Sequence, residues 1–142
     1  MGGKKQEDLK GIGVYGDPGL AEAVKKDIYG VGYNNLNYAY DVKTGLPING
    51  IKVISIDVNE NGVLDPEEDI STKEKAIASI KKGVYPAPPA RDLYLVVKEK
   101  YKEPAKSFVK WILNDGQKYV NEVGYIGLTE EQIQQAMKKL EQ

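Results

Sequence analysis

Cysteine and histidine are both absent from this 142-residue chain, and arginine occurs once, as Arg91. Their absence removes disulfides, thiolate nucleophiles, thiolate zinc sites and imidazole acid–base chemistry together. The scarcity of arginine removes most of the bidentate donors used to grip phosphate and carboxylate. A formal net charge of −1 leaves no basic field to recruit nucleic acid or an anionic membrane. No apolar run approaches the roughly 20 residues that span a bilayer. The opening Met1-Gly2-Gly3-Lys4-Lys5 leads into polar residues, so no signal peptide is expected in this chain. There is no Ser-x-x-Lys, no P-loop and no paired catalytic motif, and the chain is expected not to be an enzyme.

What is present is an ordinary globular balance, 41% hydrophobic and 29% charged residues, enough for one compact domain. Residues 1–10 read as a polar tail. Apolar runs over 12–15, 30–33, 51–56 and 92–98 are expected to be short strands. A helix is expected from Asp17, as N-cap, through Pro18 to about Asp27, with Leu20, Ala21, Ala23, Val24 and Ile28 as its stripe. Residues 34–40 read as a loop or one helical turn, and 43–50 as a turn region marked by Gly45, Pro47 and Gly50. Ser71-Thr72-Lys73-Glu74 is a capping box opening a helix through Ala76, Ile77 and Ile80 that stops near Gly83. Pro86, Pro88 and Pro89 make residues 85–90 an extended crossover. Pro104 starts a helix whose apolar face is Phe108, Val109, Trp111 and Ile112, with Trp111 read as core. Asp115-Gly116 breaks it, Gln117 to Val123 resumes it, and Gly124 caps it. Thr129-Glu130-Glu131-Gln132 is a second capping box, opening a helix with Ile133, Met137 and Leu140 on one face. Alternating short strands and helices argue an α/β class.

Two constellations carry candidate chemistry. Gly16-Asp17-Pro18-Gly19 lies between an expected strand and a helix, where free backbone N–H groups and the positive helix end meet. Gly16, Asp17 and Gly19 are therefore candidate anion ligands, with Asp17 able to accept a proton from an anion such as hydrogen phosphate; the alternative is a plain helix cap. The second is Asp57-Val58-Asn59-Glu60-Asn61-Gly62-Val63-Leu64-Asp65-Pro66-Glu67-Glu68. It satisfies D-x-[DN]-x-[DN]-G-x₅-E at every specified position. Asp57, Asn59 and Asn61 offer hard oxygens at alternate residues, and Gly62 permits the sharp turn. Val63 offers a carbonyl, Asp65 binds directly or through water, and Glu68 closes the shell with two oxygens. The ion expected is Ca²⁺, in a bracing role; the alternative is a solvated acidic loop. The tyrosines around Tyr29, Tyr33, Tyr38 and Tyr40 read as half-buried, each with its hydroxyl at the surface.

Three stretches together resemble the phosphate-specific branch of the type II periplasmic (extracytoplasmic) solute-binding-protein family. They are Gly16-Asp17-Pro18-Gly19 with Tyr29-Gly30-Val31-Gly32-Tyr33; Gly83-Val84-Tyr85-Pro86 through Arg91-Asp92-Leu93-Tyr94-Leu95; and Phe108-Val109-Lys110-Trp111-Ile112-Leu113 with Gly116-Gln117 and Gly124-Tyr125-Ile126. The likeness spans about residues 12–140 and covers only the C-terminal portion of such a receptor. It implies a partial type II binding-protein-like fold, a short mixed sheet flanked by helices. Residues 1–84 would be a remnant of the second lobe with a calcium-loop-like insertion. Residues 85–142 would be the crossover and the closing helices that pack on the first lobe. The resemblance also implies a parent that captures inorganic phosphate outside the cytoplasm for an ABC-transporter permease. The family's Ser-Gly-Thr turn after an arginine is missing here, and Arg91 lies in the crossover. This chain alone is thus expected to bind phosphate weakly or not at all. The alternative reading is a calcium-stabilised interaction module, a possible homodimer through exposed apolar surface.

Overall fold

The computed structural model describes residues 10–141, so the expected tail over 1–10 lies, but for Lys10, outside them. Six helices form among the described residues: α1 Gly16–Lys26, α2 Leu36–Ala39, α3 Lys73–Lys81, α4 Ala105–Leu113, α5 Gln117–Val120 and α6 Glu130–Leu140. The expected α/β fold, a partial type II binding-protein-like fold with a short mixed sheet, does not form. Among the described residues the β-pairing is one isolated antiparallel bridge, Tyr40 to Pro47.

The physical reason is that a strand exists only as half of a ladder. The runs over 12–15, 30–33, 51–56 and 92–98 have strand composition but gain no partner. The first, second and fourth stand in solvent, with Ile12, Val31 and Val96 more than four-fifths exposed. Residues 51–56 do keep the alternation of a half-buried strand, Ile51, Val53 and Ser55 inward and Lys52 and Ile54 outward, without its hydrogen bonds.

Side chains cap α2, α3 and α6. Thr129 accepts from the Gln132 amide while the Gln132 side chain accepts from the Thr129 N–H, completing the expected capping box. At α3 the cap is Thr72, which accepts from Lys75 N–H, rather than Ser71. That helix closes as a Schellman motif: Gly83 (φ 72°) donates to Ile80 O and Val84 to Ser79 O, both at 3.0 Å. α1 starts two residues earlier than expected. Its N-cap is Tyr15, which makes no side-chain cap bond, and Asp17 lies in the first turn.

Tyr40 centres the main core, only 1% exposed, packed with Ile70 and Ala76. Leu36, Ala39, Val53 and Tyr85 surround it, so α2, α3 and the 51–56 segment meet there. The Tyr40 hydroxyl donates to Ile70 O at 2.6 Å. Burial, with the Tyr85 and Asp69 charges adding, pushes its pKa up to about 12. A turn over 41–46 feeds this cluster: Asp41 accepts from Lys43, Thr44 and Gly45, and Lys73 N–H donates to Gly45 O.

α4 packs on α6. Leu113 and Leu140 are buried, with Ile112, Ile133 and Met137 half-buried between them. Lys106 and Lys110 both pair with Glu141, and their hydrogen bonds hold its carboxyl down at about 2. Phe108 and Trp111 are not core. They stack on each other at 6.1 Å in the solvent, and Trp111 stacks in turn on Tyr119 at 6.3 Å. Tyr29 and Tyr33 are likewise more than two-thirds exposed rather than half-buried.

A polar hub ties the two halves of the chain together. Asn37 Nδ2 donates to Glu122 O at 3.0 Å and its Oδ1 accepts from Lys73 Nζ at 2.8 Å. Lys73, buried although charged, also reaches Asn121 O. Helical spacing explains its burial, since Lys73 precedes Ala76, Ile77 and Ile80 on the inward stripe of α3. These bonds cross the boundary expected between residues 84 and 85.

Candidate calcium site

The loop from Asp57 to Glu68 leaves the 51–56 segment and returns to the core at Ile70. Its first half is wound by Asx turns. Asp57 Oδ1 accepts from Asn61 N–H at 3.2 Å and its Oδ2 from Gly62 N–H at 2.8 Å. Asn59 Oδ1 accepts from Asn61 N–H at 3.0 Å, and Asn61 Oδ1 from Val63 N–H at 2.7 Å. Short side chains that bond their own backbone two residues on are what make Asp and Asn the residues of such a winding. Gly62 at φ 77° supplies the left-handed step, and Glu60 takes φ 59° beside it.

The two ends of the loop are clasped by Glu68, which is 4% exposed. Its Oε1 accepts from Val58 N–H at 2.7 Å and its Oε2 from Asp65 N–H at 3.2 Å. Asp65 Oδ2 accepts from the side-chain amides of Asn59 at 2.7 Å and Asn61 at 2.9 Å. Asp57, Asn59, Asn61, Asp65 and Glu68 thus belong to one connected hydrogen-bond network. Just past the loop, bonds from Lys75 and Ser71 hold the Asp69 carboxyl at about 2 and anchor this corner to α3.

The residues fit a calcium ion by donor type: three carboxylates, two amide oxygens and the Val63 carbonyl are hard oxygen ligands. Each carboxylate retains lone pairs beyond those its backbone donors use. No group of three or more acidic side chains among the described residues is already gathered as a metal shell. Two of the donors are asparagines, whose N–H₂ groups face Asp65. Coordination requires both amides to turn their oxygens toward the carboxylates.

The candidate phosphate residues are placed differently. Gly16 (φ 64°) opens α1, but residues 12–15 before it form no strand, so the expected strand–turn–helix setting is absent. Pro18 has no N–H, and Gly19 N–H is taken by Tyr15 O at 3.3 Å. Asp17 is exposed, and its carbonyl accepts from Asn34 Nδ2 at 2.8 Å. Only the Gly16 and Asp17 amides remain to meet an anion. Sequence reasoning did not single out Lys73 and Asn37; the signal was a lysine at helical spacing from apolar residues.

Against known proteins, no family model, no curated sequence and no solved structure matches the chain. No helix among the described residues is long and apolar enough to cross a membrane.

Proposed function

We propose that this protein is a calcium-binding interaction module in which the Asp57–Glu68 loop takes the ion. One observation carries the reading. The first and last specified positions of a complete calcium-loop motif are both engaged in winding one loop, Asp57 from within and the buried Glu68 as its clasp. The ion's contribution is bracing: it screens three carboxylates and couples the 51–56 segment to Ile70 and α3. The role proposed for the ion is structural.

Calcium that binds the folded chain alone stabilises it by mass action, about 2.7 kcal/mol at a hundred times Kd. For a domain of this size that raises Tm by on the order of 5–10 °C. Thermal melts with calcium and with excess chelator should differ by that amount, and Asp57→Ala should abolish the difference. A wild-type melt indifferent to both additions sinks the reading.

A second reading keeps phosphate, through the motif likeness and the two amides of Gly16 and Asp17 that open α1. On that reading the parent protein acts outside the cytoplasm and passes phosphate to an ABC-transporter permease. This chain supplies too few donors to dehydrate the anion, and calorimetric titration with inorganic phosphate should give weak or no binding. A micromolar or tighter constant would contradict it.

A further inference from the structure

The segment from Arg91 to Val97 runs without helix, turn or bend, and every residue in it is exposed. Leu93, Tyr94, Leu95 and Val96 are each more than half exposed, Val96 by 86%. Five successive apolar residues, 93–97, in solvent with no backbone-to-backbone bond among the described residues form an open template for another strand. The chain is extended there: the Tyr94 hydroxyl reaches the Asp92 carboxylate at 3.3 Å, two residues away, as same-face neighbours do. One edge is already engaged, since Tyr101 Oη donates to Leu95 O at 2.7 Å. The opposite edge carries the backbone groups of residues 92, 94 and 96.

We infer that this edge pairs with the same segment of a second copy, antiparallel about a two-fold axis at Leu95. The charges at its ends select the partner and the register. With Leu95 opposite Leu95 of the second copy, Asp92 faces Lys98 and Arg91 faces Glu99, while Leu93 faces Val97 and Tyr94 faces Val96. Every cross-strand pair is then apolar with apolar or acid with base. The edge of residues 92, 94 and 96 lets the axis move only by whole residues: at Tyr94 it sets Asp92 against Val96 and Arg91 against Val97, and at Val96 it sets Leu93 against Glu99 and Tyr94 against Lys98. Parallel pairing in register stacks each charge on its own kind. Both neighbouring registers set charges against apolar side chains and parallel pairing sets like charges together, whereas opposite charges directly opposed stabilise a ladder, so the Leu95 register is favoured. The bend at Lys98–Glu99 ends the ladder just beyond the apolar run. Because Leu95 O is held by Tyr101, Leu95 sits at a non-hydrogen-bonded position. Residues 94 and 96 then make the central backbone bonds.

The pairing stands on residues outside the calcium loop and goes beyond the calcium reading. Its test is sedimentation equilibrium of the full chain, with calcium and with chelator. A dimer is expected in both. Asp92→Lys sets Lys against Lys at both ends and should weaken the dimer about tenfold or more. Asp92→Lys with Lys98→Asp restores opposite charges and should restore it. These side chains are exposed, so an unchanged helical circular-dichroism signal will confirm that the variants fold. In a chain without cysteine, Leu95→Cys should form an intermolecular disulfide under mild oxidation, while Tyr94→Cys, on the other face, should not. A monomer at every concentration overturns the inference, including one that captures a strand of other sequence. A dimer indifferent to the charge reversal, or one that cross-links at 94 and not at 95, overturns it as well.

Discussion

Tyr40→Ala is expected to destabilise the protein by about 3–5 kcal/mol, the range for removing a large buried aromatic. Tyr40 is the largest fully buried side chain, and the core around it is small. Few other apolar groups are placed to collapse into the space it would leave. Its ring joins α2 to α3, and its hydroxyl satisfies Ile70 O, which would otherwise be stranded beside the Asp57–Glu68 loop. Tyr40→Phe separates the two contributions. It keeps the ring and leaves the carbonyl unpaired, for about 1–3 kcal/mol. Urea unfolding of the two variants measures both. The hydroxyl also sets an alkaline limit. Its folded pKa is raised to about 12 from an ordinary value of 10.0, so the unfolded chain ionises first. Stability is full below pH 10 and falls as pH rises through 10 to 12, and the Phe variant should lose that part of the decline. A wild-type denaturation midpoint flat across the window would contradict the assignment.

The second large effect is expected at Gly124. Its φ is 86°, in the left-handed region, where it closes the turn after α5: Tyr125 N–H donates to Val120 O at 3.1 Å and Gly124 N–H to Asn121 O at 3.3 Å. A Cβ there would meet Asn35 Oδ1 at 2.2 Å, Asn37 Cγ at 2.7 Å and Asn37 Nδ2 at 2.9 Å. Ala carries about 1–2 kcal/mol of left-handed strain, and overpacking adds about 1–3 kcal/mol. Asn37 cannot retreat cheaply, because it bonds both Glu122 O and the buried Lys73 ammonium. Displacing it leaves Lys73 short of an acceptor. Gly124→Ala should therefore cost about 2–5 kcal/mol in equilibrium unfolding. Gly62→Ala, where the φ is also positive but nothing lies within 4 Å of the new methyl, should pay the strain alone. Equal losses at the two sites would show that the polar hub contributes nothing.

The Gly124 turn and the Asp57–Glu68 loop are partly legible in the sequence. The turn after α5 is marked by a glycine, and the loop by a twelve-residue pattern of Asp, Asn and Gly. In each case the information is local: a side chain bonding its own backbone, or a residue without Cβ taking a positive φ. What was not legible is how distant residues meet. Nothing in Gly124 announces that Asn35 and Asn37 fill the space beside it. Tyr40 sits in a run of tyrosines and asparagines with no periodicity to separate it from Tyr29 or Tyr33, yet it alone of these is enclosed. Lys73 reads as a helix-start residue, and only the approach of Asn37 and Asn121 shows that its ammonium is held inside.

By itself the sequence determined where the longer helices lie, the capping box of α6, the glycine stop of α3 and the Asp/Asn/Gly-rich loop over 57–68, because each depends on residues within a few positions of one another, and its composition excluded thiol and imidazole chemistry. Only the tertiary structure decided that the four β-prone runs form no sheet, that Phe108 and Trp111 lie outside the core, and that the two halves are joined through Asn37 and Lys73. A strand requires a ladder partner, and burial requires a covering surface; neither is a property of the segment that needs it.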